Sequence, residues 1–165
     1  MSLSAIISLF VLALLSFFFS ASEAAIISLS KIRLRHMVAQ GIKRAKSIQH
    51  LVTKLDKFIA AILIGNNFVN IAMSVIITAA FVQIYGYYWG VIISTLVSGI
   101  FILIFCEITP KILSTKHNEK VALFAAPFME IFIRIFQPII RIFIGISNFI
   151  LKMLRIETTK RSPLI

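Results

Sequence analysis

Three short stretches carry polar atoms for which long apolar runs have no ordinary use. Ser16 and Ser20 are four residues apart, so a helix puts them on one face, with Ser22 and Glu23 following. Asn66 and Asn70, in Gly65-Asn66-Asn67-Phe68-Val69-Asn70, repeat that spacing. Glu107 opens Glu107-Ile108-Thr109-Pro110-Lys111, where Pro110 has no N–H and is expected to free the carbonyl of Cys106. Polar groups in hydrocarbon are costly and need partners. Two hydroxyls, two amides, one carboxylate and one freed carbonyl make a six-oxygen set. Mg2+ takes such oxygens in octahedral geometry and is commonly held by one or two carboxylates. One carboxylate leaves about one positive charge of a bound Mg2+ uncompensated, which suits a site that releases its ion. The same oxygens suit Na+, and donor type alone does not choose between the two ions.

The elements that must position these residues follow from composition and charge. The chain has 165 residues, 59% of them hydrophobic, with a formal net charge of +11. Its mean hydropathy of +1.00 excludes an ordinary soluble domain or a disordered tail. A single cysteine excludes a disulfide scaffold. The basic charge lies beside long apolar runs rather than on a soluble module. Its expected partner is therefore a bilayer with anionic headgroups, and not nucleic acid. An intramembrane enzyme is not expected, for there is no HExxH, no Gly-x-Ser-x-Gly and no pair of intramembrane aspartates.

Eight of the seventeen basic residues lie between Lys31 and Lys57, and the other nine run from Lys111 onward. Three apolar runs, about 3–29, 58–85 and 87–108, are each long enough to cross a hydrocarbon core of about 30 Å. The linker 31–57 is strongly basic, whereas Tyr85-Gly86-Tyr87-Tyr88-Trp89-Gly90 is aromatic and uncharged. Basic loops stay cytoplasmic and aromatic rings favour the water interface. The expected fold is an all-α integral membrane domain with three transmembrane helices, N-terminus outside and C-terminus inside. The first run lacks a positively charged start and exceeds the usual leader length, so it is expected to be a span rather than a cleaved signal.

Residues 118–155 are expected to form interfacial amphipathic helices. Glu130, Arg134, Gln137 and Arg141 fall in one narrow helical sector, and Pro127 and Pro138 interrupt the backbone bonding. Residues 47–55, with Ile48, Leu51, Val52 and Leu55 at helical spacing, are expected to form a shorter surface helix. Counted from the basic markers, Ser16, Ser20, Asn66 and Asn70 lie about 13–22 Å from the cytoplasmic boundary. Glu107 reaches the same layer only if Lys111 lies inside the bundle and Lys116 is the marker.

Each of these residues also has a bland role. Membrane serines back-bond to the preceding turn or allow close packing, and asparagines pair across helices. Glu107 could be an interfacial acid beside Lys111, and Glu23 is expected to pair with a cytoplasmic base. Asn67 reads as packing, Cys106 as a small packing residue, and Gly86 and Gly90 as hinge residues. His36, His50 and His117 have no ligand spacing. The competing function is a non-transporting membrane anchor or sensor; a third reading is a carrier for Na+ or another divalent cation.

Taken in order, Ser20-Ala21-Ser22-Glu23-Ala24-Ala25, Gly65-Asn66-Asn67-Phe68-Val69-Asn70 and Glu107-Ile108-Thr109-Pro110-Lys111 closely resemble the transmembrane domain of the CorC and cyclin-M family of magnesium transporters. The resemblance covers about residues 3–155. It implies a homodimer in the plasma membrane, with one Mg2+ site in each three-helix bundle, and Mg2+ export driven by Na+ entry. It points to Ser16, Ser20, Asn66, Asn70 and Glu107 as ion ligands, with Pro110 breaking the third helix beside them. Ala21 and Cys106 stand where the family usually has glycine, which would tighten backbone approach near the site. The family usually continues into a cytoplasmic helical bundle, an ATP-binding CBS-domain pair and a further small domain. The chain is expected to stop short of these, in a polar tail at 156–165, and to bind no nucleotide.

Overall fold

The computed structural model describes residues 3–154, and every regular element among them is helical. The expected polar tail at 156–165 lies outside the described residues. The elements are α1 (Leu3–Ser28), α2 (Lys31–Ala39), α3 (Lys43–Thr53), α4 (Leu55–Phe101), a π-helical segment (Ile102–Ile108), α5 (Thr109–Lys116) and α6 (Asn118–Met153).

Two stretches are long and apolar enough to cross a membrane, Leu3–Ser28 and the 62 residues Leu55–Lys116. Only 17% of the most apolar window of each is buried within the protein. A core helix of a soluble protein would be mostly buried, so these faces are built for an apolar solvent or a partner.

A straight 62-residue helix would extend about 93 Å. The chain instead folds back at Gly86, whose φ of 74° and ψ of 173° are not helical. This left-handed φ carries no steric penalty for glycine. Beyond it, Ser94 Oγ donates to Thr78 Oγ1 at 3.0 Å, and the Ser74 and Ser98 hydroxyls lie 3.3 Å apart. Those pairs are sixteen and twenty-four residues apart in sequence, so arms 55–85 and 87–101 run antiparallel, side by side. Gly90 lets them touch: a Cβ there would stand 2.6 Å from the Val82 Cα.

Contacts fix the remaining directions. Ser16 meets Asn66 and Asn70, while Phe19 meets Gly65, so α1 is antiparallel to arm 55–85. Glu23 meets Lys111 one to two turns beyond the Ser16 level, so α1 runs parallel to the segment that ends in α5.

The basic linker is more ordered than the single expected surface helix. It forms α2 and α3, separated at Gly41, whose φ of 78° again needs glycine. Ala45, Ile48 and Leu51 of α3 are buried against the common core with Phe58 and Ile62. The proline expectation for 118–155 needs correction. Pro127 and Pro138 both lie inside one continuous helix, α6. Each removes one N–H from the ladder, and the surrounding bonds together with the packed face hold the helix through them. Ala122, Ala125, Ala126 and Met129 of α6 are buried, and Phe128 and Phe132 meet Phe18 and Phe19 edge-on.

Candidate functional site

The site lies where α1, arm 55–85 and the π-helical segment converge. α1 supplies Ser16 and Ser20, both fully buried. Arm 55–85 supplies Asn66 and Asn70, half-buried, and the π-helical segment supplies Glu107, also half-buried. Close approach of α1 and arm 55–85 depends on Gly65, where a Cβ would come within 2.8 Å of the Phe19 ring and 3.1 Å of the Phe132 ring.

Four of the five expected residues are joined by hydrogen bonds. Ser16 Oγ lies 2.8 Å from Asn66 Oδ1 and 2.6 Å from Asn70 Oδ1. Asn70 Nδ2 donates to Glu107 Oε1 at 3.1 Å. An ionised carboxylate only accepts, so this last contact fixes the Asn70 amide with its oxygen toward Ser16. The Ser16 hydroxyl has one proton and faces two amide oxygens, so one close oxygen pair lacks a hydrogen between its members. A flip of the Asn66 amide would supply the missing proton; a cation would replace it.

Ser20 lies one turn from Ser16 on the same face and bonds to none of the four. Its buried hydroxyl has no hydrogen-bond partner among the described residues. The other buried serines behave differently. Ser22, Ser94, Ser98 and Ser114 each donate to a carbonyl of the preceding turn. The back-bonding role usual for membrane serines therefore describes those four, while Ser16 and Ser20 direct their hydroxyls elsewhere. A buried polar atom without a partner is rare and costs about 1–3 kcal/mol.

The expected break at Pro110 needs correction: the backbone stays helical into α5, with Pro110 in its first turn, and widens only in the turn before it. The turn Ile102–Ile108 is π-helical, and the Thr109 N–H bonds to the Ile104 carbonyl, five residues back. The wider turn carries Glu107 toward Asn70 and places Cys106 in the buried interior, with its thiol beside the Ser16 hydroxyl. π-Helical turns are rare and concentrate at functional sites. Proline spacing hinted at a break here, but no residue pattern specifies an i→i+5 register.

Glu23 pairs with Lys111, Oε2 to Nζ at 3.0 Å. Lys111 therefore serves the α1 carboxylate rather than Glu107. Asn67 is exposed and takes no part in the cluster. On the basic side, Arg33 forms a two-pronged bond to Glu119, which raises the guanidinium pKa further above its ordinary value. His50 bonds to Glu130 at 2.8 Å. No group of three or more His, Cys, Asp or Glu side chains suited to a metal occurs among the described residues. A cation here would be held by hydroxyl and amide oxygens around one carboxylate.

Residues 6–165 match the family described as the cyclin M transmembrane N-terminal domain. The chain is 40% identical over 134 residues to a UPF0053 protein of Haemophilus influenzae, covering 81% of this chain and 32% of that one. It is 35% identical over 144 residues to the UPF0053 inner membrane protein YfjD of Escherichia coli, covering 87% and 33%. It is 27% identical over 175 residues to the polyamine export protein of Salmonella typhimurium, covering 98% and 39%. The chain spans about a third of the length of the first two of these curated relatives. The motifs on Ser20, Asn66 and Glu107 thus sit in a matched region that runs from residue 6 to residue 165, and the chain belongs to the cyclin M transmembrane-domain family as a membrane domain.

Proposed function

We propose that this domain carries Mg2+ out of the cell, coupled to Na+ entry, through a dehydrated site formed by Ser16, Ser20, Asn66, Asn70 and Glu107. The observation that carries the reading is the convergence of the Ser16 hydroxyl and the Asn66 and Asn70 amides, drawn from two helices, beside the Glu107 carboxylate. Neighbouring ligands of an octahedral Mg2+, with metal–oxygen distances of about 2.1 Å, stand about 3 Å apart. The two oxygen pairs at 2.8 and 2.6 Å are near that spacing already. The unpartnered Ser20 hydroxyl and the Glu107 carboxylate would complete the protein's share, and waters the rest.

In this reading the chain crosses the plasma membrane three times, by α1 and by the two arms that meet at Gly86. The N-terminus and the exposed Tyr87, Tyr88 and Trp89 lie outside, and α2, α3 and the basic start of α4 lie inside. The exposed apolar faces of α1 and α4 meet lipid and a second copy of the chain, as the family resemblance implies. α6 lies along the cytoplasmic interface.

The name of the Salmonella relative favours one alternative, an organic polycation as cargo. Amide and carboxylate oxygens also accept from ammonium groups. A single carboxylate in a small, closely packed cluster suits a compact ion better than an extended chain of charges. Proteoliposome flux decides between these and a non-transporting anchor. Wild-type protein should move Mg2+ faster than a polyamine, and faster against a Na+ gradient than against a K+ gradient. Glu107→Gln and Asn70→Ala should abolish Mg2+ movement while the protein still folds. Normal Mg2+ transport by both variants would overturn the site assignment.

A further inference from the structure

A second polar constellation lies away from the ion cluster, in a cavity of about 140 Å³ between α3, the start of α4 and α6. Lys54, Lys57, Arg134 and Arg141 line it, and Glu130 is its one carboxylate. Asp56, although adjacent in sequence, is not among the lining residues. Glu130 is already engaged. Lys54 Nζ can only donate, so its 2.8 Å contact makes His50 Nε2 an acceptor, and His50 Nδ1–H then donates to Glu130 at 2.8 Å. Lys57, Arg134 and Arg141 have no carboxylate partner among the described residues. Four cations thus line the cavity against the single Glu130 carboxylate, and an anionic ligand relieves the repulsion that remains.

The rest of the wall is apolar, formed by Leu51, Ile133, Ile140 and Ile144. A small soluble anion would gain nothing from it. Ile133, Ile140 and Ile144, seven and four residues apart, make this wall one apolar strip along the same face of α6. Lys57 immediately precedes Phe58, where the apolar run begins, so the cations stand at the level where headgroups meet hydrocarbon. We propose that this cavity binds one anionic phospholipid, with the phosphate among Lys57, Arg134 and Arg141 and an acyl chain along the isoleucine wall. Basic pockets between helices on the cytoplasmic side suit such headgroups. The site would tie α6 to the start of α4, so lipid composition would bear on how firmly the two are held. It rests on the membrane placement of these helices and not on the transport reading of the Ser16 cluster.

The test uses the whole chain in neutral detergent, titrated with short-chain phosphatidylglycerol, short-chain phosphatidylcholine, inorganic phosphate and a glutamate-rich peptide. Binding is read by calorimetry and by the unfolding midpoint. Phosphatidylglycerol should bind and raise the midpoint, with the other three at least about tenfold weaker. Arg134→Gln with Arg141→Gln should weaken phosphatidylglycerol binding by about tenfold or more. Lys57→Gln, on a different helix, should act in the same direction. Lys43→Gln with Lys152→Gln removes the same charge from exposed positions that do not line the cavity and should change binding by less than about twofold. Equal losses in the two double variants would reduce the effect to general surface attraction and overturn the site. Phosphate or the acidic peptide binding as tightly as the lipid would overturn it in favour of a soluble anion or an acidic protein segment.

Discussion

The Asn70 amide donates to the Glu107 carboxylate at 3.1 Å, and this contact orients an oxygen on a second side chain. Because the carboxylate takes the Nδ2 hydrogen, Oδ1 must face Ser16. Glu107 thus acts twice, as a negative charge and as the group that turns a neighbouring dipole toward the same point.

Loss of that charge should be felt first in ion binding. Unit charges at contact interact by about 4 kcal/mol at an effective dielectric near 20, and a divalent ion doubles this before desolvation is counted. Glu107→Gln should therefore weaken Mg2+ binding at least about a hundredfold, measured by calorimetry on purified protein. Asn70→Asp should act in the opposite sense. Two carboxylates about 3 Å apart repel without an ion, so the ion-free protein should melt lower and the Mg2+-induced rise in midpoint should grow. Mg2+ affinity within twofold of wild type in both variants would mean that these oxygens do not meet the ion.

Ser16 and Ser20 should separate binding from stability. Ser16→Ala removes the hydroxyl that two amide oxygens face, and should cost about 1–3 kcal/mol of stability in the absence of Mg2+ as well as weakening binding. Ser20 has no partner to lose. Ser20→Ala should leave the ion-free protein unchanged or more stable by about 1 kcal/mol, yet weaken Mg2+ binding. A Ser20→Ala protein destabilised by more than 1 kcal/mol, with unaltered Mg2+ affinity, would assign the hydroxyl to packing.

The four-residue spacing of Ser16 with Ser20 and of Asn66 with Asn70 was enough to put each pair on one face, because α-helical periodicity is local. Membrane character was equally legible, since it follows from apolar content. Which helices touch was not, as it depends on positions such as Gly65 and Gly90 whose role is to be small beside a distant partner. The π-helical turn at Glu107 was also hidden, for no local residue pattern specifies an i→i+5 register. Lys111 looked like a partner for Glu107 because the two are one turn apart. The relative positions of α1 and α5 give it to Glu23 instead, and only tertiary contact could reveal that.

The Glu23–Lys111 pair lies one turn beyond Ser20, and its side chains are 21% and 45% exposed. Solvent screening at that exposure limits its worth to about 1 kcal/mol or less. Lys111→Met should therefore fold with little loss in midpoint. It leaves the Glu23 charge unopposed near the ion cluster, so Mg2+ should bind about two- to fivefold tighter at low salt, and the gain should shrink as ionic strength rises. Exchanging the charges, Glu23→Lys with Lys111→Glu, should restore wild-type affinity. Unchanged or weaker Mg2+ binding in Lys111→Met would mean that the Glu23 charge is not felt at the ion cluster.

Two glycines offer a graded test of the packing that holds the cluster together. At Gly65 an added Cβ meets the far ends of the Phe19 and Phe132 rings, which can swing aside. Gly65→Ala should cost about 1–3 kcal/mol, and Phe19→Leu in the same chain should recover part of it. At Gly90 the obstacle is backbone: the Val82 Cα at 2.6 Å and its nitrogen at 2.8 Å. Backbone cannot rotate away, so the two arms must separate, and the hydroxyl contacts Ser94–Thr78 and Ser74–Ser98 stretch with them. Gly90→Ala should therefore lower the unfolding midpoint more than Gly65→Ala, with no second-site rescue from Phe19. Because the arm beyond Gly90 leads directly into the turn carrying Glu107, the same substitution should also weaken Mg2+ binding, although it touches no ligand. A Gly90→Ala protein as stable as wild type would mean that the arms do not pack this closely.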